Sequence, residues 1–119
     1  MQVSQDEHSF FLDTLAEYQW ARDVAGLAAS TLDRLIKPVL EICDHYDLPP
    51  WRLEPRRVDA YFVGEGRRER PTTRRKLNQL DLYYAFLEQR YAGEIRRQFG
   101  MGVESPIDAF NRPRHRGGR

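Results

Sequence analysis

The sequence has little of several features, and each scarcity excludes a class of protein. Its single cysteine, Cys43, cannot form an intramolecular disulfide, and its apolar neighbours predict a small buried side chain in a reducing cytoplasm. No apolar run approaches the roughly 18 residues of a membrane span, and no signal-peptide pattern opens the chain. No stretch shows the alternation expected of a β-strand. We therefore expect the 119 residues to form one soluble, all-helical domain.

Candidates for catalysis and metal binding are also missing. His8, His45 and His115 are far apart, and none stands at metal-ligand spacing from a cysteine or carboxylate, which predicts surface histidines. The serines lack the context of a nucleophile elbow. The segment Gly64-Glu65-Gly66 lacks a preceding strand and the rest of a phosphate-binding fingerprint. We expect no enzyme, no cofactor and no metal site in these residues.

Lysine is scarce as well, because 17 of the 19 basic residues are arginine. The planar guanidinium suits phosphates and guanine edges better than an ammonium does. The net charge of +1 conceals an asymmetry: residues 1–50 hold three basic and nine acidic residues, whereas residues 51–119 hold sixteen and nine. This division predicts an acidic face and a basic face, or a basic arm and tail.

Apolar spacing predicts a bundle of four or five helices. The first two expected helices run from Ser9 to Asp23, ended by Gly26, and from about Ala28 to Tyr46, with Pro38 inside and a Ser30–Asp33 capping box. The third runs from Pro55 to about Val63, and the fourth from Thr72 to Tyr91. After an interruption at Ala92-Gly93, we expect a further turn or two over Glu94 to Phe99. We expect residues 1–8 to be frayed, residues 9–104 to form the helical core, and residues 105–119 to form a basic linker or tail.

Several apolar side chains outside the regular helix faces are expected to join the core. Phe10, Leu12 and Trp20 widen the apolar sector of the first helix, and Trp51 follows a proline-rich turn as an anchor. In the closing segment, Ile107 and Phe110 are expected to act as short anchors.

The start of the fourth helix carries the strongest functional pattern. Thr72 or Thr73 can cap it, which places Arg74, Arg75 and Lys76 in its first turn. Cations there oppose the helix dipole, while the free backbone N–H groups favour anions. The pattern indicates a phosphate site, and a solvated loop before a core helix remains the alternative.

Three basic clusters are candidate nucleic-acid contacts, since arginines and hydroxyls reach phosphates and amides can read base edges. The largest comprises Arg67, Arg68, Arg70, Thr72, Thr73, Arg74, Arg75, Lys76 and Gln79. The second comprises Thr31, Arg34 and Lys37 on the second helix. The third comprises Arg112, Arg114 and Arg116, for which a solvated tail is the alternative. The aromatic residues Tyr83, Tyr84, Phe86 and Tyr91 are expected in the core.

The order of motifs resembles a known family. Four segments carry the resemblance: Leu27-Ala28-Ala29-Ser30-Thr31, the T-x-R-R-K-L run from Thr72 to Leu77, Ser105-Pro106-Ile107-Asp108 and Arg112-Pro113-Arg114. Together they resemble the N-terminal core-binding (SAM-like) domain of phage integrases, the tyrosine recombinases. The resemblance spans roughly residues 9–116. Two departures are Ala28, where the family usually has a serine cap, so that the helix would start at Ser30, and Pro38.

The resemblance implies a DNA-binding module that grips a recombination half-site through its second and fourth helices. The implied partners are double-stranded DNA and other recombinase protomers, in the bacterial cytoplasm at the nucleoid. The family's catalytic Arg, His and Tyr residues belong to a second domain, and Tyr91 does not match its nucleophile, so binding without cleavage is expected. The alternative is a helical protein–protein interaction module derived from an integrase. A helix-turn-helix regulator fits less well, because the turn DLPPWRLEP is too long.

Overall fold

The computed structural model describes residues 5–113, and all regular secondary structure in that range is helical. The elements are α1 (Gln5–Val24), α2 (Ala29–Tyr46), a 3-10 turn (Pro50–Arg52), α3 (Pro55–Val63) and α4 (Arg70–Phe99). The predicted all-α bundle is therefore confirmed, with four α-helices. None of the described helices combines the length and hydropathy needed to cross a membrane.

Helix α2 packs against both α1 and α4, and the core lies between these three helices. Each contributes an apolar stripe with the three- and four-residue steps of an amphipathic helix. The buried stripes are Phe11, Leu15 and Tyr18 on α1; Leu35, Val39, Ile42 and Cys43 on α2; and Leu77, Leu80, Tyr83, Tyr84, Phe86, Leu87 and Ile95 on α4. The three- and four-residue steps from Leu77 through Leu80 and Tyr84 to Leu87 predict this face of α4, and these four residues are buried; Cys43 is buried as predicted.

Tyr83, Tyr84 and Phe86 of α4 are buried in the core, as predicted, whereas Tyr91 is only half-buried. The side chains of Tyr83 and Tyr84 are fully buried. Tyr84 donates a 2.6 Å hydrogen bond to the carbonyl of Pro50, while the Tyr83 hydroxyl lies 2.7 Å from that of Thr14. Neither ring presents a face on which a base could stack.

Helix α1 begins at Gln5, four residues before its predicted start, so residues 5–8 are helical. The reason is Glu7, which is only 3% exposed although it is charged. Its carboxylate accepts hydrogen bonds from the Trp51 indole and the Arg52 guanidinium, 44 and 45 residues further along the chain. The predicted anchoring by Trp51 is confirmed, and its ring also stacks on Phe99 with centroids 5.7 Å apart.

The predicted side-chain caps do not form. Helix α2 starts at Ala29 with Ala28 at its N-cap, and the backbone N–H groups of Thr31 and Leu32 bond to the carbonyl of Ala28, so neither the Ser30 capping box nor a later start is observed. Helix α4 starts at Arg70, two residues before the prediction. It also continues through Ala92-Gly93 to Phe99, because a single glycine costs less than the packing of Ile95 on the far side contributes.

Three predicted core residues lie on the surface instead. The side chains of Leu12, Trp20 and Phe110 are 45%, 67% and 97% exposed. Leu12 and Trp20 lie outside the face of α1 that includes Phe11, Leu15 and Tyr18, which is the face that packs in the core. Ile107 is buried, as predicted, so the closing segment has one apolar anchor instead of two.

Residues 105–113 are held against the bundle, with Asp81 of α4 as the main contact. Ser105 donates a 2.9 Å hydrogen bond to Asp81, and Arg112 forms an ion pair with the same carboxylate. A second guanidinium nitrogen of Arg112 bonds to the carbonyl of Ile107 at 3.0 Å. The guanidinium of Arg112 is thus engaged in holding this segment.

Candidate nucleic-acid interface

A groove of about 560 Å³ runs between α2 and α4 on one surface of the bundle. Its lining brings together two of the clusters predicted from the sequence. The α2 side presents Thr31, Arg34 and Lys37, and the α4 side presents Thr72, Arg75, Lys76 and Gln79, with Pro38 and Glu41 completing the wall. Residues about 40 positions apart in the sequence therefore form one surface.

Helix geometry explains the arrangement on each side. Arg34 and Lys37 are three residues apart, so they lie on neighbouring turns of one helix face, opposite the buried face that includes Val39 and Ile42. Arg75 and Gln79 are four residues apart, and an Arg75 nitrogen lies 3.4 Å from the Gln79 amide oxygen. Packing of α2 against α4 sets the two faces side by side.

One acidic residue, Glu41, shares this groove with four cations. Its carboxylate accepts a 2.9 Å hydrogen bond from the Lys76 ammonium, which forms an ion pair between the two helices. The sequence clusters omitted Glu41. A signal was nonetheless present, because Glu41 follows Arg34 by seven residues, or about two helical turns, and so shares its face.

A second groove, of about 420 Å³, lies near the start of α4. It is lined by most of the remaining predicted contacts together with apolar side chains of α3: Phe62, Val63, Arg67, Arg68, Arg70, Thr73, Arg74, Leu77 and Pro113. The large basic cluster is thus divided between two grooves that both border the first turns of α4.

The turn before α4 depends on Gly66. A Cβ atom at this position would lie 2.1 Å from the Tyr61 ring, so the backbone approaches the ring more closely than any other residue would allow. The arginines that follow bond to nearby carbonyls: Arg67 to Val63 at 3.3 Å and Arg68 to Arg67 at 2.6 Å. Both guanidinium groups remain on exposed residues.

The start of α4 differs in one respect from the predicted phosphate site. Because the helix begins at Arg70, this residue occupies the first turn, and Arg74, Arg75 and Lys76 lie in the second. The first turn holds no acidic residue. The Thr73 hydroxyl donates to the carbonyl of Arg68 at 3.3 Å and does not cap the helix. The unfavourable dipole interaction therefore concerns Arg70 more than the three predicted cations.

Six of the predicted cations form no ion pair with a carboxylate within residues 5–113: Arg34, Lys37, Arg67, Arg68, Arg70 and Arg75. Arg112 lies apart from both grooves in its contact with Asp81. Arg114 and Arg116 lie outside the described residues. The two grooves consequently gather six cations that have no ion pair with a carboxylate within residues 5–113.

The groups that could act as nucleophiles are poorly suited to that role. Burial raises the pKa of the Cys43 thiol far above its usual value. Burial and a hydrogen bond to Glu17 raise the pKa of Tyr91 to about 12. Over residues 5–113, no three His, Cys, Asp or Glu side chains are grouped so that they could hold a metal ion. His8 and His45 are exposed, as predicted, and His115 is outside the described range.

No protein-family model, curated protein or solved structure matches this chain. The resemblance to integrase core-binding domains therefore rests on the sequence motifs, and the arguments about function rest on the geometry of the two grooves.

Proposed function

We propose that the protein is a DNA-binding module whose interface is the groove between α2 and α4, extended by the arginine-lined groove near the start of α4. The observation that carries the proposal is the convergence of Arg34 and Lys37 with Arg75 and Lys76 on the walls of one groove. Two segments that are far apart in the sequence bring their cations together here without an equal number of acids. Such an arrangement suits the neutralisation of an extended polyanion.

The composition of the interface supports DNA over a small anionic ligand. Guanidinium groups and hydroxyls contact phosphate oxygens, and the Gln79 amide in the same groove can contact a base edge. A small ligand would be enclosed by convergent side chains, whereas these cations are spread over two grooves on either side of the first turns of α4. Contacts spread in this way fit a backbone that carries one phosphate after another.

The narrower form of the proposal is the core-binding module of a site-specific tyrosine recombinase, with a recombination half-site as its ligand and no cleavage by these residues. The motif order between residues 9 and 116 supports this form. The groove between α2 and α4 also supports this form, since the resemblance implies contacts from the second and fourth helices. The groove residues concerned are Thr31, Arg34, Lys37, Thr72, Arg75, Lys76 and Gln79.

Fluorescence anisotropy with a random-sequence duplex at several salt concentrations tests the proposal. If the six cations without acidic partners contact phosphates, log K falls with log salt at a slope of about −5. Arg34→Ala and Arg75→Ala should each reduce the magnitude of that slope by about one. An affinity that does not depend on salt, or no binding at low salt, would refute the proposal.

Arg97→Ala is the matched control for these variants. Arg97 is an exposed arginine on the same helix as Arg75, and its contact with Glu94 is a 3.7 Å ion pair on the surface. It lies about 33 Å along the helix axis from Arg75, beyond the reach of the same phosphates. An equal loss of binding in Arg97→Ala would show that total charge matters and that the groove does not.

A second candidate function, a helical protein-interaction module, is favoured by one observation. Trp20 and Val24 of α1 are 67% and 90% exposed, and they lie together beside Ala21. Exposed apolar clusters often mark protein contacts. Sizing of the protein without DNA distinguishes the candidates: self-association that Trp20→Ala abolishes, combined with absent DNA binding, would favour the interaction module.

A further inference from the structure

Glu41 is an unexpected component of a groove that binds phosphate. A carboxylate there repels the DNA backbone, and its cost would be avoided by any neutral residue. The cations without acidic partners, Arg34, Lys37 and Arg75, are on exposed residues, whereas Glu41 and Lys76 are half-buried between the helices. The groove therefore combines exposed cations with one half-buried ion pair.

The carboxylate is the more exposed member of this ion pair. The Glu41 side chain is 38% exposed and the Lys76 side chain only 12%. Lys76 bonds to Oε1 of Glu41, and within residues 5–113 the other oxygen, Oε2, has no hydrogen-bond partner. Lys76 thus holds the carboxylate in place through one oxygen and leaves the other oxygen free to accept a hydrogen bond.

An ionised carboxylate only accepts hydrogen bonds, so its ligand must supply a donor. Phosphates and guanine edges in the major groove supply acceptors, adenine places its N7 acceptor beside its amino donor, and cytosine presents its exocyclic amino group alone. We propose that Glu41 is a specificity-determining residue that accepts a hydrogen bond from the amino group of a cytosine, with phosphates bound by the exposed cations Arg34, Lys37 and Arg75. The inference rests on the proposed DNA-binding function and assigns it a preferred G·C pair.

Selection from a randomised duplex pool, carried out with the wild-type protein and with Glu41→Gln, tests the assignment. Glutamine keeps the size of the side chain and an oxygen for Lys76, so the fold should be retained, which thermal unfolding checks. The wild type should enrich cytosine at one position by about tenfold, the order expected of one good base contact. Glu41→Gln should lose that enrichment and bind random duplexes more tightly, because a repulsive charge is removed.

Glu88→Gln is the matched control, since Glu88 is an exposed acid of α4 outside this groove. It should leave the cytosine enrichment unchanged. Replacing the selected cytosine by 2-pyrimidinone, which lacks only the amino group, should weaken wild-type binding and leave Glu41→Gln unaffected.

The outcomes separate this inference from the proposed function. Salt-dependent binding without any base enrichment, or equal enrichment by wild type and Glu41→Gln, would overturn the role of Glu41 and leave DNA binding intact. Absence of salt-dependent binding in every variant would overturn both.

Discussion

The Trp51 indole nitrogen donates a 2.7 Å hydrogen bond to the buried Glu7 carboxylate, which fastens the start of α1 to the 3-10 turn. Two nitrogens of Arg52 bond to the same carboxylate at 2.6 and 3.1 Å. Glu7→Ala would remove the carboxylate oxygens that accept these hydrogen bonds from Trp51 and Arg52. We expect it to lower the free energy of unfolding by about 3 kcal/mol, measured by urea denaturation.

The neighbouring Asp6→Ala serves as its control. Asp6 is exposed, so its removal should change stability by no more than about 0.5 kcal/mol. Equal stabilities of the two variants would contradict the structural role assigned to Glu7.

The buried contact between Thr14 and Tyr83 gives a prediction with a direction. The Thr14 hydroxyl donates to the carbonyl of Phe11 at 2.7 Å, so its single proton is used and Tyr83 must be the donor between the two hydroxyls. Thr14→Val leaves the Tyr83 proton without an acceptor and should cost about 2 kcal/mol. Tyr83→Phe removes the donor and should cost about 1 kcal/mol. The reverse order in chemical denaturation would show that the proton is assigned wrongly.

Two glycines should respond oppositely to alanine. Gly93 lies within α4, and a Cβ atom added there would meet only open space, so Gly93→Ala should stabilise the protein by about 0.5–1 kcal/mol through helix propensity. Gly66→Ala would place its Cβ against the Tyr61 ring and should destabilise by about 2 kcal/mol. Thermal unfolding of both variants checks the pair, and a stabilised Gly66→Ala would be incompatible with the described turn.

Stability should fall at alkaline pH because of the tyrosines. Burial raises the pKa of Tyr83 and Tyr84, and burial with the Glu17 contact raises the pKa of Tyr91 to about 12. The unfolded chain releases these protons near pH 10, so the folded state binds more protons above that pH. The stabilising contribution is complete below about pH 10 and is lost as pH rises through about 12.

Urea denaturation at a series of alkaline pH values measures this loss, and tyrosinate absorbance should appear together with unfolding. Lysine titration interferes little, since the chain has only two lysines among its 19 basic residues. A free energy of unfolding that stays constant to about pH 11 would contradict the protected state of the three hydroxyls.

The buried faces of α2 and α4 could be predicted from the sequence, because the spacing of apolar residues along a helix is a local pattern. The three- and four-residue steps from Leu77 to Leu87 predicted the buried face of α4, and Pro55 with Gly64 predicted both ends of α3. Helix starts were less predictable. At Ala28 and Glu69 no side chain caps the helix, so the residue preferences used to place those starts had no physical counterpart.

Side-chain exposure was predicted poorly for apolar residues that lie on the surface and for a charged residue that is buried. Trp20 is apolar but 67% exposed on α1, whereas Glu7 is charged but buried beneath Trp51 and Arg52. Neither outcome follows from neighbouring residues in the sequence, because it depends on which surface another segment covers.

The sequence by itself determined the all-helical class, the buried stripes and the excess of arginine after residue 50, since these follow from local spacing and composition. Three features depended on tertiary packing: Arg34 and Lys37 line one groove with Arg75 and Lys76, Arg112 binds Asp81 instead, and Glu41 forms an ion pair with Lys76 in that groove. The reason is physical: a charge acts on groups within a few ångströms, and only the packing of α2 against α4 brings these segments within that range.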